Sequence, residues 1–206
     1  GRFVRRAVSR FMPGESFEEA VTAARTLRDQ GIGSIVTNLG ENITDRSEAQ
    51  AEVEHYAAVL RALEGTGLDT EISVKLTHLG LDLDPRMAAD HLGRIAQLAR
   101  LAGTRVWIDM EGSAYTDRTL ACYIEVRKSH ANIGIALQTY LRRTASDLAA
   151  ILPLGPLVRL VKGAYREPAE IAFTKMSEVN ESFFSLCAAL LTAEARKAGA
   201  WVAVGT

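Results

Sequence analysis

Charged side chains recur inside apolar runs of this sequence, each near the C-terminal end of its run. Lys75 lies in Ser73-Val-Lys-Leu-Thr77, with His78 after it, and Asp109 lies in Val106-Trp-Ile-Asp-Met-Glu111. Gln138 and Tyr140 end the run that starts at Asn132, and Arg159, Lys162 and Tyr165 belong to Val158-Arg-Leu-Val-Lys-Gly-Ala-Tyr165. Asn38 and Glu41 follow Ser34-Ile-Val-Thr37, and Thr206 follows the last run. A charge inside an apolar strand is costly unless it is paired or functional, so its repetition at equivalent places marks a site. Lys75, Arg159 and Lys162 stand against Asp109. Such a pocket favours an anionic or electron-rich ligand: a carboxylate, a phosphate or a flavin ring.

Each position also has a plainer structural meaning. Lys75 and Asp109 suit an ion pair between neighbouring strands. Arg159 and Lys162 suit solvated strand ends, although the apolar residues around them argue against it. On a regular strand residues 159 and 162 point to opposite faces. Both serve one ligand only if the strand ends or bulges near Lys162, which Gly163 permits. Glu41 reads as an ordinary loop charge and His78 as a solvated loop histidine. His55, His91 and His130 fall in helical segments, and no His/Cys/Asp set has metal spacing.

These residues need a scaffold that brings strand ends together, and the apolar rhythm supplies one. The spacing predicts a helix over 17–28, opened by Ser16 as N-cap with Glu19 behind it. Strands are then expected over 34–39, 71–77, 105–110, 132–138, 157–162 and 200–204, and helices over 45–63, 85–101, 117–129, 145–152 and 178–198. Strict alternation with short loops implies parallel strands and right-handed crossovers. The turn after the first strand, Leu39-Gly-Glu-Asn42, is not the glycine-rich turn of a dinucleotide-binding sheet. The expectation is an α/β chain of the (β/α)8 barrel type, with an extra N-terminal helix and the first six strands present. One domain is expected over 1–206, with 1–31 as the N-terminal helical segment and 32–206 as barrel units one to six. Catalytic groups of such barrels sit at the C-terminal strand ends, where the charges fall.

The chain has 206 residues, 48% hydrophobic and 24% charged, which excludes a disordered tail or a disulfide-stapled miniprotein. A formal net charge of -1 gives no pull toward nucleic acid. No apolar run nears the ~20 residues of a membrane span. The basic start, Gly1 to Arg10, lacks the apolar segment of a signal peptide. Cys122 and Cys187 suit a reducing compartment, so a cytoplasmic location is expected.

Taken together, the strand ends resemble those of the proline dehydrogenase family, in its monofunctional bacterial form. The segments that carry this are Leu39-Gly-Glu41, Ser73-Val-Lys-Leu-Thr77, Asp109-Met-Glu111, Leu137-Gln-Thr-Tyr-Leu141 and Val158-Arg-Leu-Val-Lys-Gly-Ala-Tyr-Arg-Glu-Pro168, with Arg10-Phe-Met-Pro-Gly-Glu15 at the entry to the extra helix. The resemblance implies oxidation of L-proline to 1-pyrroline-5-carboxylate by FAD, with electrons passed to a membrane quinone and peripheral membrane contact. It implies that Lys75 holds the proline carboxylate and that Asp109 and Arg159 form the active-site pair. Met110 and Gln138 match flavin contacts, and Lys162, Gly163 and Ala164 match the segment along the FAD. Thr206 matches the first residue of a Thr-His flavin contact, and Glu41 matches a gate residue. Thr37 and Asn38 stand where the family often carries an acid. The family's later histidine, last two strands and final helix with paired arginines lie beyond Thr206, so the 206-residue chain alone is expected to be inactive or poorly stable. A Schiff-base lyase using Lys75 or Lys162 is the alternative on the same barrel. A dead barrel serving as a binding module would have lost the strand-end charges.

Overall fold

The structure, a computed structural model, describes residues 17–39 and 43–205. Glu41, Thr206, Ser16 and the segment 10–15 lie outside the described residues. Helix α1 (Phe17–Arg28) precedes β1 (Ser34–Thr37), α2 (Arg46–Leu63), β2 (Thr70–Val74), α3 (Pro85–Leu101) and β3 (Val106–Ile108). There follow α4 (Thr116–Arg127), β4 (Ile133–Gln138), α5 (Thr144–Ile151), β5 (Leu157–Val161), α6 (Met176–Leu190), α7 (Ala193–Lys197) and β6 (Trp201–Gly205). The six strands form one sheet in sequence order, every neighbouring pair parallel.

Local chemistry sets the helix starts. Asp45 caps α2 by accepting from the Ser47 and Glu48 amides, and Glu48 reaches back to the cap, closing a capping box. Asp84 caps α3, where Pro85 takes the first turn and loses no hydrogen bond. The outward strand residues Ile72, Ile108, Ile135 and Leu160 are fully buried against helix residues such as Leu60 and Leu92. Each large apolar side chain so buried contributes about 1.5–3 kcal/mol.

The sheet curls. In a flat sheet β2 and β5 would stand about 14 Å apart, yet the Arg159 guanidinium lies 3.4 Å from Ser73 Oγ. Trp107 on β3 and Trp201 on β6 likewise bring their ring centroids to 6.0 Å. The result is the curved wall of a (β/α)8 barrel, in which β1 and β6 are the two edges of the described sheet. Ile35 and Trp201 on those strands are 42% and 43% exposed, so the barrel's inner surface is uncovered at both edges.

Two predicted elements differ most, and the strands expected over 34–39 and 105–110 also stop early, at Thr37 and Ile108. The second strand ends at Val74 because the chain turns at once: the amides of His78, Leu79 and Gly80 bond to the carbonyls three residues back. This turn buries Thr77 and also His78, which is not solvated. The last helix is divided, because Thr192 adopts an extended ψ of 154° and its own hydroxyl caps α7 through the Ala195 amide. His130 follows α4 instead of lying in it.

At the open end of β1 the ladder changes character. The Asn38 amide donates to Tyr56 Oη at 3.1 Å, and that hydroxyl donates to the Ser73 carbonyl at 2.7 Å. Asn38 Nδ2 also donates to Glu52 at 2.8 Å, so α2 holds the end of β1 through two side chains. Among the described residues no helix is long and apolar enough to cross a membrane.

Candidate active site at the strand ends

Asp109 is the hub. It follows β3 and accepts a hydrogen bond from Ser73 Oγ at 2.6 Å. The same oxygen, Oδ1, pairs with the Arg159 guanidinium, and Oδ2 lies 3.8 Å from Lys75 Nζ. The Lys75, Asp109 and Arg159 side chains are 24%, 23% and 19% exposed, so water screens them less than it would surface pairs. Three strands thus deliver their charges to one mouth.

A floor lies beneath them. Trp107 is fully buried and its indole N–H donates to Glu71 at 2.6 Å. Its ring fills the place where a Cβ on Gly134 would sit, 2.4 Å from the nearest ring carbon. Only glycine at 134 leaves that room. The Arg159 guanidinium rests over this ring, 5.7 Å from its centroid, a cation–π contact that fixes the arginine from below.

The rim holds the backbone in place. Gln138 Nε2 donates to the Met110 and Glu111 carbonyls at 3.2 and 3.3 Å. Its amide orientation is therefore set, and Oε1 remains buried with no partner among the described residues. Arg159 Nε is likewise buried and unpartnered there. Glu111 accepts from Thr77 Oγ1 at 2.6 Å, which ties the ends of β2 and β3.

Beyond β5 the chain forms a strap. The strand ends at Val161, and Gly163 takes φ +123°, a region that favours glycine. A Cβ there would lie 2.3 Å from the Tyr140 ring. The strap is tied down where Glu167 accepts from the Ser113 amide and hydroxyl at 2.8 and 2.7 Å, and where the Phe173 amide donates to the Tyr140 carbonyl at 2.8 Å. Tyr165 stands on it half exposed; burial first, then the charges of Glu111 and Asp109, push its hydroxyl pKa up.

Asp109 pairs with both Lys75 and Arg159, while Gln138 bonds separately to the Met110 and Glu111 carbonyls. Lys162, Gly163 and exposed Ala164 begin the strap, and Lys162 has no ion pair among the described residues. Glu41 and Thr206 fall outside the described residues. Sequence reasoning missed Ser73, the Thr77–Glu111 and Ser113–Glu167 ties, and the small inward residues of β4. The period of a strand held a signal for one of them, since Ser73 lies two residues before Lys75.

Parallel strands in sequence order, helices outside and an ion-paired mouth at the C-terminal strand ends define this chain as a (β/α)-barrel protein. The family described as proline dehydrogenase matches residues 20–184, and the chain belongs to it. It is 35% identical over 177 residues to proline dehydrogenase 1 of Bacillus subtilis subsp. natto, covering 86% of this chain and 59% of that protein. It is 30% identical over 179 residues to the proline dehydrogenase of Deinococcus radiodurans, covering 84% of this chain and 58% of that one. The chain therefore spans about three fifths of the length of these relatives. Its fold superposes on proline utilization A (PutA) from Bdellovibrio bacteriovorus with a TM-score of 0.81 at 23% identity, covering 94% of this chain and 25% of that one.

Proposed function

We propose that this chain carries the substrate and cofactor groups for oxidation of L-proline to 1-pyrroline-5-carboxylate. The observation that carries the proposal is the convergence of Lys75, Asp109 and Arg159 at one mouth in a member of this family. Proline presents a carboxylate and a ring nitrogen. Lys75, loosely held by Asp109 at 3.8 Å, is the cation with capacity to spare for the carboxylate. Gripping that group orients the ring carbon beside nitrogen, and orientation of this kind can lower a barrier by several kcal/mol. The C–H bond there breaks with its electron pair, leaving the imine of the product once the nitrogen has shed its proton.

The donors and acceptors present fit FAD. Gln138 Oε1, buried and unpartnered among the described residues, can take only a donor such as the ring N–H of an isoalloxazine. Arg159 Nε can give only to an acceptor. Lys162, Gly163 and Ala164 are proposed to lie along the flavin, with the Gly163 backbone held close against the Tyr140 ring because no side chain of its own intervenes. Met110 lends its carbonyl to Gln138 and so fixes that contact. When bound, FAD supplies the hydride acceptor. Arg159, locked between Asp109 and Trp107, holds a positive charge at the mouth that complements an electron-rich ring. A quinone is the proposed final acceptor, met at a membrane surface, and Glu41 and Thr206 are proposed as gate and flavin contact.

The test is optical. The flavin-loaded full-length protein, with the family's later strands and final helix in place, is expected to be yellow and to bleach when L-proline is added without oxygen. A protein that binds flavin and stays yellow overturns the proposal. Borohydride trapping of a carbonyl compound on Lys75 or Lys162 would instead establish the lyase alternative.

A further inference from the structure

Ser73 makes a set of contacts that a packing residue does not need. It is 2% exposed, and its hydroxyl lies 2.6 Å from Asp109 Oδ1, 3.4 Å from the Arg159 guanidinium and 3.4 Å from the Trp107 carbonyl. A serine hydroxyl has one proton to give, and the shortest contact takes it, leaving the oxygen to accept from Arg159. Ser73 is itself immobilised through its carbonyl, which accepts from Tyr56. Asp109 Oδ1 thus receives two donors while Oδ2 faces Lys75 from 3.8 Å, too far for a hydrogen bond.

A carboxylate between two cations can be held by either. Leaning on Arg159, it leaves the lysine ammonium to a ligand; leaning on Lys75, it fills the place that a ligand's anionic group would occupy. The serine hydroxyl adds a charge-assisted bond on the arginine side only. We propose that Ser73 is a positioning residue that holds Asp109 on Arg159 and so keeps Lys75 available to the carboxylate of the substrate. The identity of that ligand rests on the proline reading; the orientation of Asp109 does not.

Two measurements separate the parts. The first is calorimetric binding of cyclopentanecarboxylate and of cyclopentylmethanol, which share a ring and differ in the charged group. Ser73→Ala is expected to weaken the carboxylate roughly tenfold, to leave the alcohol unchanged, and to be rescued by Ser73→Thr. The second uses neither ligand nor flavin. The chain has two tryptophans, so in a Trp201→Phe background the emission reports on Trp107, under Arg159. Ser73→Ala is expected to shift that emission as Arg159 is released. If Ser73→Ala fails to fold, Ser73→Cys leaves no cavity, being slightly larger, and weakens the donor. Emission and carboxylate-to-alcohol ratio both at wild-type values would overturn the proposal. A full-length wild-type protein, with the family's final helix in place, that binds neither compound overturns the proline reading, and the Trp107 emission then decides for or against Ser73 by itself.

Discussion

Arg159 reaches Asp109 across Ala136. Ala136 is aligned with Arg159 on the neighbouring strand, and Asp109 follows Ile108, whose partner Ile135 precedes that alanine. The intervening strand therefore contributes one methyl group at the level of the ion pair. One register step lower, Gly134 faces Trp107 in the same way. Strand β4 alternates Ile133, Ile135 and Leu137 toward the helices with Gly134, Ala136 and Gln138 toward the interior.

Enlarging the inner position of β4 should break the pair. Ala136→Leu is expected to cost about 1–3 kcal/mol by overpacking and to abolish bleaching by proline. Urea unfolding and the anaerobic absorbance assay measure the two effects. Leu137→Met, on the outer face of the same strand, is expected to cost less than about 1.5 kcal/mol.

Removing the lysine charge should act on affinity before turnover. Lys75→Met is expected to raise the KM for proline by roughly ten- to a hundredfold, with a smaller effect on kcat. Steady-state rates with an artificial electron acceptor over a range of proline concentrations check this. A fall in kcat alone would count against Lys75 as the carboxylate anchor.

Gly163 combines a positive φ with a filled side-chain position, so Gly163→Ala meets two penalties. The expected loss is about 1–3 kcal/mol for the backbone, plus the collision with Tyr140. Tyr140→Ala should relieve only the second. Flavin retention on gel filtration and the melting temperature of the single and double variants separate the two. Recovery to wild-type values by the double variant would show that the backbone conformation is not needed.

Alkali should expose two buried phenols. Burial pushes the Tyr56 and Tyr123 hydroxyls from 10 to about 12. The folded state thus favours the neutral phenol, and this stabilisation is complete below pH 10 and lost as pH rises through 12. Each contributes roughly 2–3 kcal/mol over that interval. The two phenols differ near neutrality. Tyr56→Phe loses two hydrogen bonds and should cost about 1–3 kcal/mol. Tyr123 Oη is buried near the Leu157 backbone without a well-formed hydrogen bond, so Tyr123→Phe should cost less than Tyr56→Phe. Urea midpoints at pH 8 and pH 11.5 for wild type and both variants check all three statements.

Much of the scaffold is legible in the sequence. Helices over 17–28 and 85–101 have the expected bounds, because apolar spacing and the Asp84-Pro85 start leave little choice. The end of β2 was misjudged because Leu76 and Leu79 are as apolar as strand residues, although they serve a buried turn. The break before α7 turns on a single threonine hydroxyl, which apolar spacing does not register. At the site, Lys75, Asp109 and Arg159 stood out because a charge in an apolar run is expensive. Ser73, Gly134 and Ala136 did not, because small neutral residues carry no such mark. Their importance comes from what lies opposite them across the curled sheet, and only three-dimensional register reveals that.

The last rung between β1 and β2 is a phenol, not a peptide. Tyr56 splices its hydroxyl between the Asn38 amide and the Ser73 carbonyl. The tip of β1 is consequently moored to α2, while Ser73 stays beneath the charges. A small slide of that helix would carry Asn38 along and tug on the Ser73 carbonyl at the same time, so one phenol on the outer helix sets both the first wall of the mouth and the seat of its charges.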